Sequence, residues 1–397
     1  MQSWINPQDA WPIWGILAGG VALCIYLEQN YPWAARLSGP VLALLGGMTL
    51  SNLRLMPGES TSYDLVETYL VPAAIPLLLF RANLTRIFRE TGPMFRAFHV
   101  ATLGTIIGAF VAGFIFRIWV GRVAEVTGVM TASYIGGGVN FVAVKNHYQL
   151  SPELTNPLLV ADNFIMAGMF GLLFLIANSK FFRKHYPHPH SLESDQAGSQ
   201  ALAARHWERK GIALLDIAKA LAVAFAITAL SMKIAESLKA TALSPWLQSI
   251  VGSAYLWITV LAVAVTTLFH KFIDGINGAD ELGIYLLYLF FFVIGLHADL
   301  FQVIRNVPVL FLLCLVIAVI NLAVTLVLGK LFRMNLEELL LSVNATLGGA
   351  PSAVAMAVSA GWSRLVLPGL LAGVWGYVIG TFIGIAVAEA LLRLLKT

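Results

Sequence analysis

Charge is the scarcest property of this sequence. Of its 397 residues, 12% are Asp, Glu, Lys or Arg, against roughly a quarter in an average soluble domain. So few charges cannot build the polar shell of a water-soluble globule this large, and disordered chains are richer in charge still. Cysteine is nearly absent. Cys24 and Cys314 each lie in an apolar run, VALCIYL and FLLCLVI, so neither a disulfide framework nor a thiolate metal site is expected. A net charge of +4 from thinly spread basic residues excludes a nucleic-acid footprint. The chain has no GxSxG, no HExxH and no Walker A sequence. It is therefore read as neither an enzyme nor a P-loop pump, and no cofactor is expected. The N-terminus, MQSWINPQDAW, lacks the basic n-region of a signal peptide, so no cleavage is expected there.

What remains is apolar: 58% of residues are hydrophobic and the mean hydropathy is +0.80. A membrane-spanning helix needs about 20 mostly apolar residues. That template fits about twelve stretches, near 11–28, 37–53, 63–80, 95–118, 127–145, 155–178, 211–231, 247–268, 282–300, 307–330, 338–360 and 364–393. The expected fold is an all-α polytopic membrane protein of about twelve spans, with eleven and thirteen left open. Trp4, Trp11, Trp14, Trp33, Trp119, Trp246 and Trp362 fall near predicted segment ends, as interfacial belts do.

The longest interruption, 179–210, carries Lys180, Arg183, Lys184, Arg205, Arg209, Lys210 and the tract HYPHPH. The positive-inside rule makes it a cytoplasmic linker. No carboxylate or cysteine completes a ligand set with its histidines, so a solvated linker is expected. It divides the chain into 1–178 and 211–397. The two parts look alike. Asn83-Leu84 aligns with Asp299-Leu300 at an offset of 216, and ASYIGGGVNFVAV (132–144) aligns with NATLGGAPSAVAM (344–356) at an offset of 212. Two matches in the same order argue for two transmembrane repeats, a device of secondary transporters. The topology does not close, however. Arg81, Arg86, Arg89 and Arg96 mark the loop after the third segment as cytoplasmic, yet three segments separate it from the cytoplasmic linker. One segment is re-entrant or split, or one loop breaks the charge rule, or the repeats are parallel.

Chemistry is expected at two places. Gly136-Gly137-Gly138 and Gly348-Gly349 with Pro351 interrupt apolar segments at repeat-equivalent positions. Glycine costs a helix roughly 1 kcal/mol relative to alanine, and a proline removes a backbone donor. Such breaks are tolerated in lipid only where they are buried or line a watery cavity. The competing reading is that the glycines serve close helix packing. Asn140, Asn344, Thr346 and Ser352 beside the breaks favour discontinuous helices that form a binding site, and the uncharged Thr131 and Ser133 suit an organic solute. The second place is Asp162-Asn163. An ionisable residue deep in a membrane segment is a functional candidate, and such a carboxyl can exchange a proton for Na⁺. The expected ion site is Asp162, Asn163, Asn140 and Asn344. The expected solute site is Gly136, Gly137, Gly138, Thr346, Gly348, Gly349, Pro351 and Ser352. Asn83, Asp299 and His297 are read as helix-end capping or interfacial solvation. Asp64, Glu67, Glu125 and Asp216 stay ambiguous. Trp375 and Tyr377 either line a solute cavity or pack.

IPLLLFRANLTRIF, ASYIGGGVNFVAV, VADNF and NATLGGAPSAVAMA resemble the YjcL-like integral membrane family, a domain of unknown function. That family is grouped with the cation:proton antiporter and anion transporter superfamily and is related in fold to bile acid:sodium symporters. The resemblance implies core and panel domains, two discontinuous helices crossing in the core and elevator-like alternating access. It also implies an ion-binding pair at Asp162-Asn163, which departs from an all-acidic pair. Three functions follow: an ion-coupled (Na⁺ or H⁺) transporter of a small organic solute, a monovalent cation/proton antiporter, or a membrane subunit of a partner-dependent enzyme or receptor. A bacterial cytoplasmic membrane location fits, a homodimer is compatible, and no metal is expected beyond Na⁺ at the ion site.

Overall fold

The computed structural model describes residues 3–31, 34, 39–192, 211–239, 251–297 and 300–395. All secondary structure among these residues is helical. The principal helices are α1 (Ala10–Asn30), α2 (Gly39–Asn52), α3 (Thr61–Arg81), α4 (Pro93–Phe116), α5 (Val123–His147) and α6 (Pro152–Asn178). After the linker come α7 (Leu214–Lys239), α8 (Ala254–Leu268), α9 (Ala279–Leu296), α10 (Leu300–Leu331), α11 (Leu336–Ser359) and α12 (Val366–Leu394). Local chemistry sets several starts. Pro93 and Pro152 begin α4 and α6, where a missing N–H costs nothing. Ser60 caps α3 by accepting from the Ser62 amide.

Among the described residues, nine helices are long and apolar enough to cross a membrane, fewer than the twelve expected: α1, α3, α4, α6, α7, α9, α10, α11 and α12. The described parts of α2 and α8 are apolar but short, 14 and 15 residues. The third, α5, is bent back on itself. Arg122, immediately before α5, donates to the carbonyl of Tyr148, immediately after it, at 2.9 Å. In a straight helix of this length the ends would stand about 37 Å apart. The helix α11 does the same. Leu341 and Ala353, about 18 Å apart in a straight helix, both lie against Gly369. Its foot residues Glu338 and Trp362 both border His190.

The expected pair of crossing helices is therefore a pair of helical hairpins. With α5 folded back, only α4 and α6 run between the arginine loop 81–96 and the linker, so both lie at one end of the bundle. Arg96 and Glu338 line one cavity there, and Glu338 pairs with His190 of the linker. The conflict in the sequence-based topology disappears at this point.

The helices pack in two groups. One is α4, α5, α6, α10, α11 and α12; the other is α1, α2, α3, α7, α8 and α9. Each half of the chain supplies three helices to each group. Of the tryptophans expected near segment ends, Trp4, Trp11 and Trp119 are exposed, whereas Trp362 is buried in the foot of the α11 hairpin. Trp33, Trp246, Asp299 and linker residues 193–210 lie outside the described residues.

Candidate functional site

The two hairpin tips are built alike. Gly137 has φ 65° and ψ −167°, and Gly349 has φ 73° and ψ −170°. That region is essentially closed to residues with a Cβ, so glycine is required by backbone geometry at both. In each hairpin the preceding glycine lies against a polar side chain four residues on. Gly136 faces Asn140, and Gly348 faces Ser352. These are repeat-equivalent positions.

Those polar side chains close the broken backbone. Asn140 donates to the Gly136 carbonyl at 2.7 Å, and its oxygen accepts from the backbone N–H and hydroxyl of Thr381 on α12. Asn344 bridges the second break, donating to the Ser352 carbonyl at 2.8 Å and accepting from the Ser352 hydroxyl at 2.9 Å. Both asparagines expected at the ion site are thus occupied in holding the tips. The bends still present open backbone: Gly138 and Pro351 are exposed, and Gly137, Gly348 and Ser352 are half-buried among buried flanks. Phe291 of α9, from the other helix group, faces Gly138 at 3.5 Å from a Cβ position.

Both hairpins lie on α12. Its glycines recur at 369, 373, 376, 380 and 384, one helical stripe of small residues. Gly369 and Gly373 meet the α11 hairpin at Leu341 and Ala350, whereas Gly376, Gly380 and Gly384 meet the α5 hairpin at Ile135, Asn140 and Ala132. Tyr377 sits between the tips, its ring 3.6 Å from a Cβ position on Gly137 and its hydroxyl 3.1 Å from one on Gly349. Trp375 turns away, donating to His99 at 3.2 Å within a cluster with Phe88 and Phe95. Of that pair only Tyr377 reaches the tips.

A buried polar bridge runs beneath. Asn321 of α10 donates to Thr105 of α4 at 2.9 Å and to Thr346 of the α11 hairpin at 3.0 Å. Thr105 donates to the Tyr134 carbonyl of the α5 hairpin at 3.1 Å. Thr105 and Asn321 are 216 residues apart, the offset of Asn83 from Asp299, so the bridge joins equivalent helices at equivalent points. Gly104 and Gly108 let α4 approach the α10 backbone at Asn321 and Ile317.

Asp162 of α6 stands beside the first hairpin. It is 8% exposed. One carboxyl oxygen accepts from Ser133 at 2.9 Å; the other is buried with no hydrogen-bond partner among the described residues. The buried Tyr134 hydroxyl, likewise without a hydrogen-bond partner by geometry, lies beside Asp162 and Cys314. No described Lys or Arg pairs with this carboxyl. A buried carboxylate with an orphaned oxygen is costly unless a proton or a cation meets it. Asn163, the next residue, points back to the Leu159 carbonyl at 2.8 Å and is only half-buried. Thr131 donates to Thr127 within its own helix. Asn83 caps the short helix Leu84–Glu90, accepting from the Arg86 amide, as expected of a helix end. His297 stacks edge-on against Tyr63. Glu67 pairs with the buried Lys145 at 3.4 Å, joining α3 to the base of the α5 hairpin.

Ser133, Tyr134, Tyr377, Thr105 and Asn321 complete the centre. Asn321 was the readable one among those not singled out in the sequence: an amide within the most apolar of the nine helices, mean hydropathy 3.0.

A family model described as "Protein of unknown function (DUF819)" matches residues 15–394. The "Uncharacterized membrane protein YjcL" of Bacillus subtilis (strain 168) is 42% identical over 385 residues, covering 97% of this chain and 97% of that protein.

Proposed function

The chain belongs to the DUF819 family and is an integral multi-pass membrane protein, and from that premise we propose that it is an ion-coupled secondary transporter of a small organic solute. The observation that carries the reading is the meeting of two hairpin tips, each bent at a glycine of the same conformation, beside a buried carboxyl with an unmet oxygen. Irregular backbone at membrane depth belongs where it lines a cavity, and broken helices at a repeat interface are where transporters hold solute and coupling ion.

In this reading the solute sits against Gly137, Gly138, Gly348, Pro351, Ser352 and Tyr377. Asp162, with Ser133 and Tyr134, takes the coupling Na⁺ or H⁺. Asn140, Asn344 and Thr346 hold the tips rather than the ion. The chain is an inverted duplication of five crossings and one hairpin per half, because α5 and α11 each leave the membrane on the side they entered. Five is odd, so the second half is inverted relative to the first. The hairpin-bearing group is the moving core, and α1–α3 with α7–α9 form the panel, giving elevator-like alternating access. Polar clefts at opposite ends of the two groups support that movement: one of about 400 Å³ at Arg81, Asp280 and Leu371, the other of about 520 Å³ at Glu67, Lys145 and Tyr255. The location is a bacterial cytoplasmic membrane.

A plain cation/proton antiporter would use the same Asp162 and draw cation ligands from the same broken helices; the half-buried Ser352 and Tyr377 beside the tips favour an organic solute. The test is a thermal-shift screen of the purified protein against a metabolite library, with and without Na⁺. A binder raises the unfolding temperature by mass action. At least one organic solute is expected to do so, and Gly137→Leu or Gly349→Leu to abolish the response. A library without any binder, alongside Na⁺-driven proton movement in liposomes, would favour the antiporter.

A further inference from the structure

A second cavity, of about 650 Å³, lies away from the hairpin tips. It opens between the first turns of α4 (Pro93, Phe95, Arg96, His99) and the α10–α11 connection (Phe332 to Asn335). Arg96 and Arg333 both line it, both are exposed, and neither has an ion pair or a side-chain hydrogen bond among the described residues. The other polar groups of the wall are already engaged. Trp375 donates to His99 Nε2, so His99 carries its proton on Nδ1 and gives it to the Phe95 carbonyl. Glu338 accepts from Asn335 at 2.9 Å and pairs with His190. The wall thus carries two exposed cations against one carboxylate, the buried Glu338, which already accepts from Asn335.

Two apolar stripes lead to this place. On α4, Leu103, Ile107, Val111 and Phe114 are exposed at spacings of four or three, continuing the line of His99. On α10, Leu331, Val327, Ala323 and Val319 are exposed at spacings of four, beside Phe332, itself 60% exposed. The helices run antiparallel in close contact, Gly104 against Asn321 and Gly108 against Ile317. Such exposed apolar stripes in a membrane protein face acyl chains. Just beyond the cavity, the short helix Leu84–Glu90 exposes Arg86, Phe88 and Arg89, a composition suited to the headgroup layer.

We infer that this cavity is a binding site for an anionic phospholipid, its phosphate held by Arg96 and Arg333, its headgroup resting on Phe95 and Phe332, and its chains laid along the α4 and α10 stripes. Paired arginines between membrane helices suit a lipid phosphate, which they meet with forked N–H donors. The site braces the foot of the α11 hairpin against α4. It stands independently of what the protein carries.

The experiment compares thermal unfolding of the full chain in phosphatidylcholine discs, in discs that also contain phosphatidylglycerol, and in phosphatidylcholine discs with inorganic phosphate. Phosphatidylglycerol is expected to raise the unfolding temperature. The double variant Arg96→Gln/Arg333→Gln should lose at least half of that rise, and Arg96→Lys/Arg333→Lys, which keeps the charges but not the forked donors, should fall between it and the wild type. An equal rise in the glutamine variant would overturn the site. An equal rise from inorganic phosphate would replace the lipid by a soluble anion and overturn it also. Should the glutamine variant not fold, a photoactivatable phosphatidylglycerol on the wild type decides: adducts concentrated at residues 95–100 and 331–335 uphold the site. Labelling there no stronger than with a phosphatidylcholine probe refutes it.

Discussion

Asp162 and the two tip glycines carry different burdens, and substitution separates them. Asp162→Asn keeps the side-chain shape and removes the charge, and removing an unpaired buried charge need not destabilise a fold. The variant is expected to unfold within a few degrees of wild type yet to lose gradient-driven transport; full coupling would exclude Asp162 as the ion carrier. At Gly137 a Cβ would find room, with nothing nearer than 3.6 Å, so the cost of Gly137→Ala is backbone strain of about 1–3 kcal/mol. At Gly384 the backbone conformation is ordinary and the cost is steric, against the Gly128 carbonyl and the Ala132 side chain, a helical turn short of the tip. Both alanine variants should lower the unfolding temperature. Only Gly137→Ala is expected to change the tip itself, read as altered protease or hydrogen-exchange susceptibility at 136–139. Equal local change in both would mean that the tip glycine merely packs.

Single residues also mark where the sequence spoke plainly. The glycine pairs and Asp162 were legible because glycine, proline and charge are conspicuous in an apolar chain. Asn140 and Asn344 were legible as polar neighbours of the breaks, but not as their caps, since that role depends on which carbonyl each amide meets across a bend. Asn321 is readable as one amide in a very apolar run, whose mean hydropathy of 3.0 masks it in any window average. The α12 stripe is visible in the sequence as five glycines at spacings of four, three, four and four. Its meaning came only from the hairpins that lie on it.

At the scale of elements, the Asn321 bridge ties both hairpins to α4 and α10. Removing a buried amide that serves two partners costs about 1–3 kcal/mol. Asn321→Leu is therefore expected to lower stability by that amount and to speed hydrogen exchange in 134–140 and 346–352 together. A response in one hairpin alone would show that the bridge does not couple them. Hydropathy could not distinguish a hairpin from a span, because two short apolar arms sum to the length of one crossing helix. The conflict between the two basic loops was the readable trace of the hairpin, and folding α5 back resolves it.

For the whole molecule, that arrangement makes a topological prediction that the near-absence of cysteine makes easy to test. Both native cysteines are buried, so an impermeant maleimide should find little background. Gly121→Cys and Gln149→Cys, at the two ends of α5, should label from one side of the membrane. Arg333→Cys and Ser363→Cys, flanking α11, should label from the other. Labelling of Gly121→Cys and Gln149→Cys from opposite sides would restore a crossing α5 and remove the inverted five-crossing plan.

Transport itself is the most direct test. Proteoliposomes would be loaded against a metabolite mixture under an imposed Na⁺ or H⁺ gradient and their contents read by mass spectrometry, with wild type and Asp162→Asn side by side. At least one small organic solute is expected to accumulate above equilibrium in the wild type, to stop when the gradient is collapsed, and to fail in Asp162→Asn. Accumulation indifferent to both gradients, or ion exchange with no solute accumulated at all, would contradict an ion-coupled solute transporter.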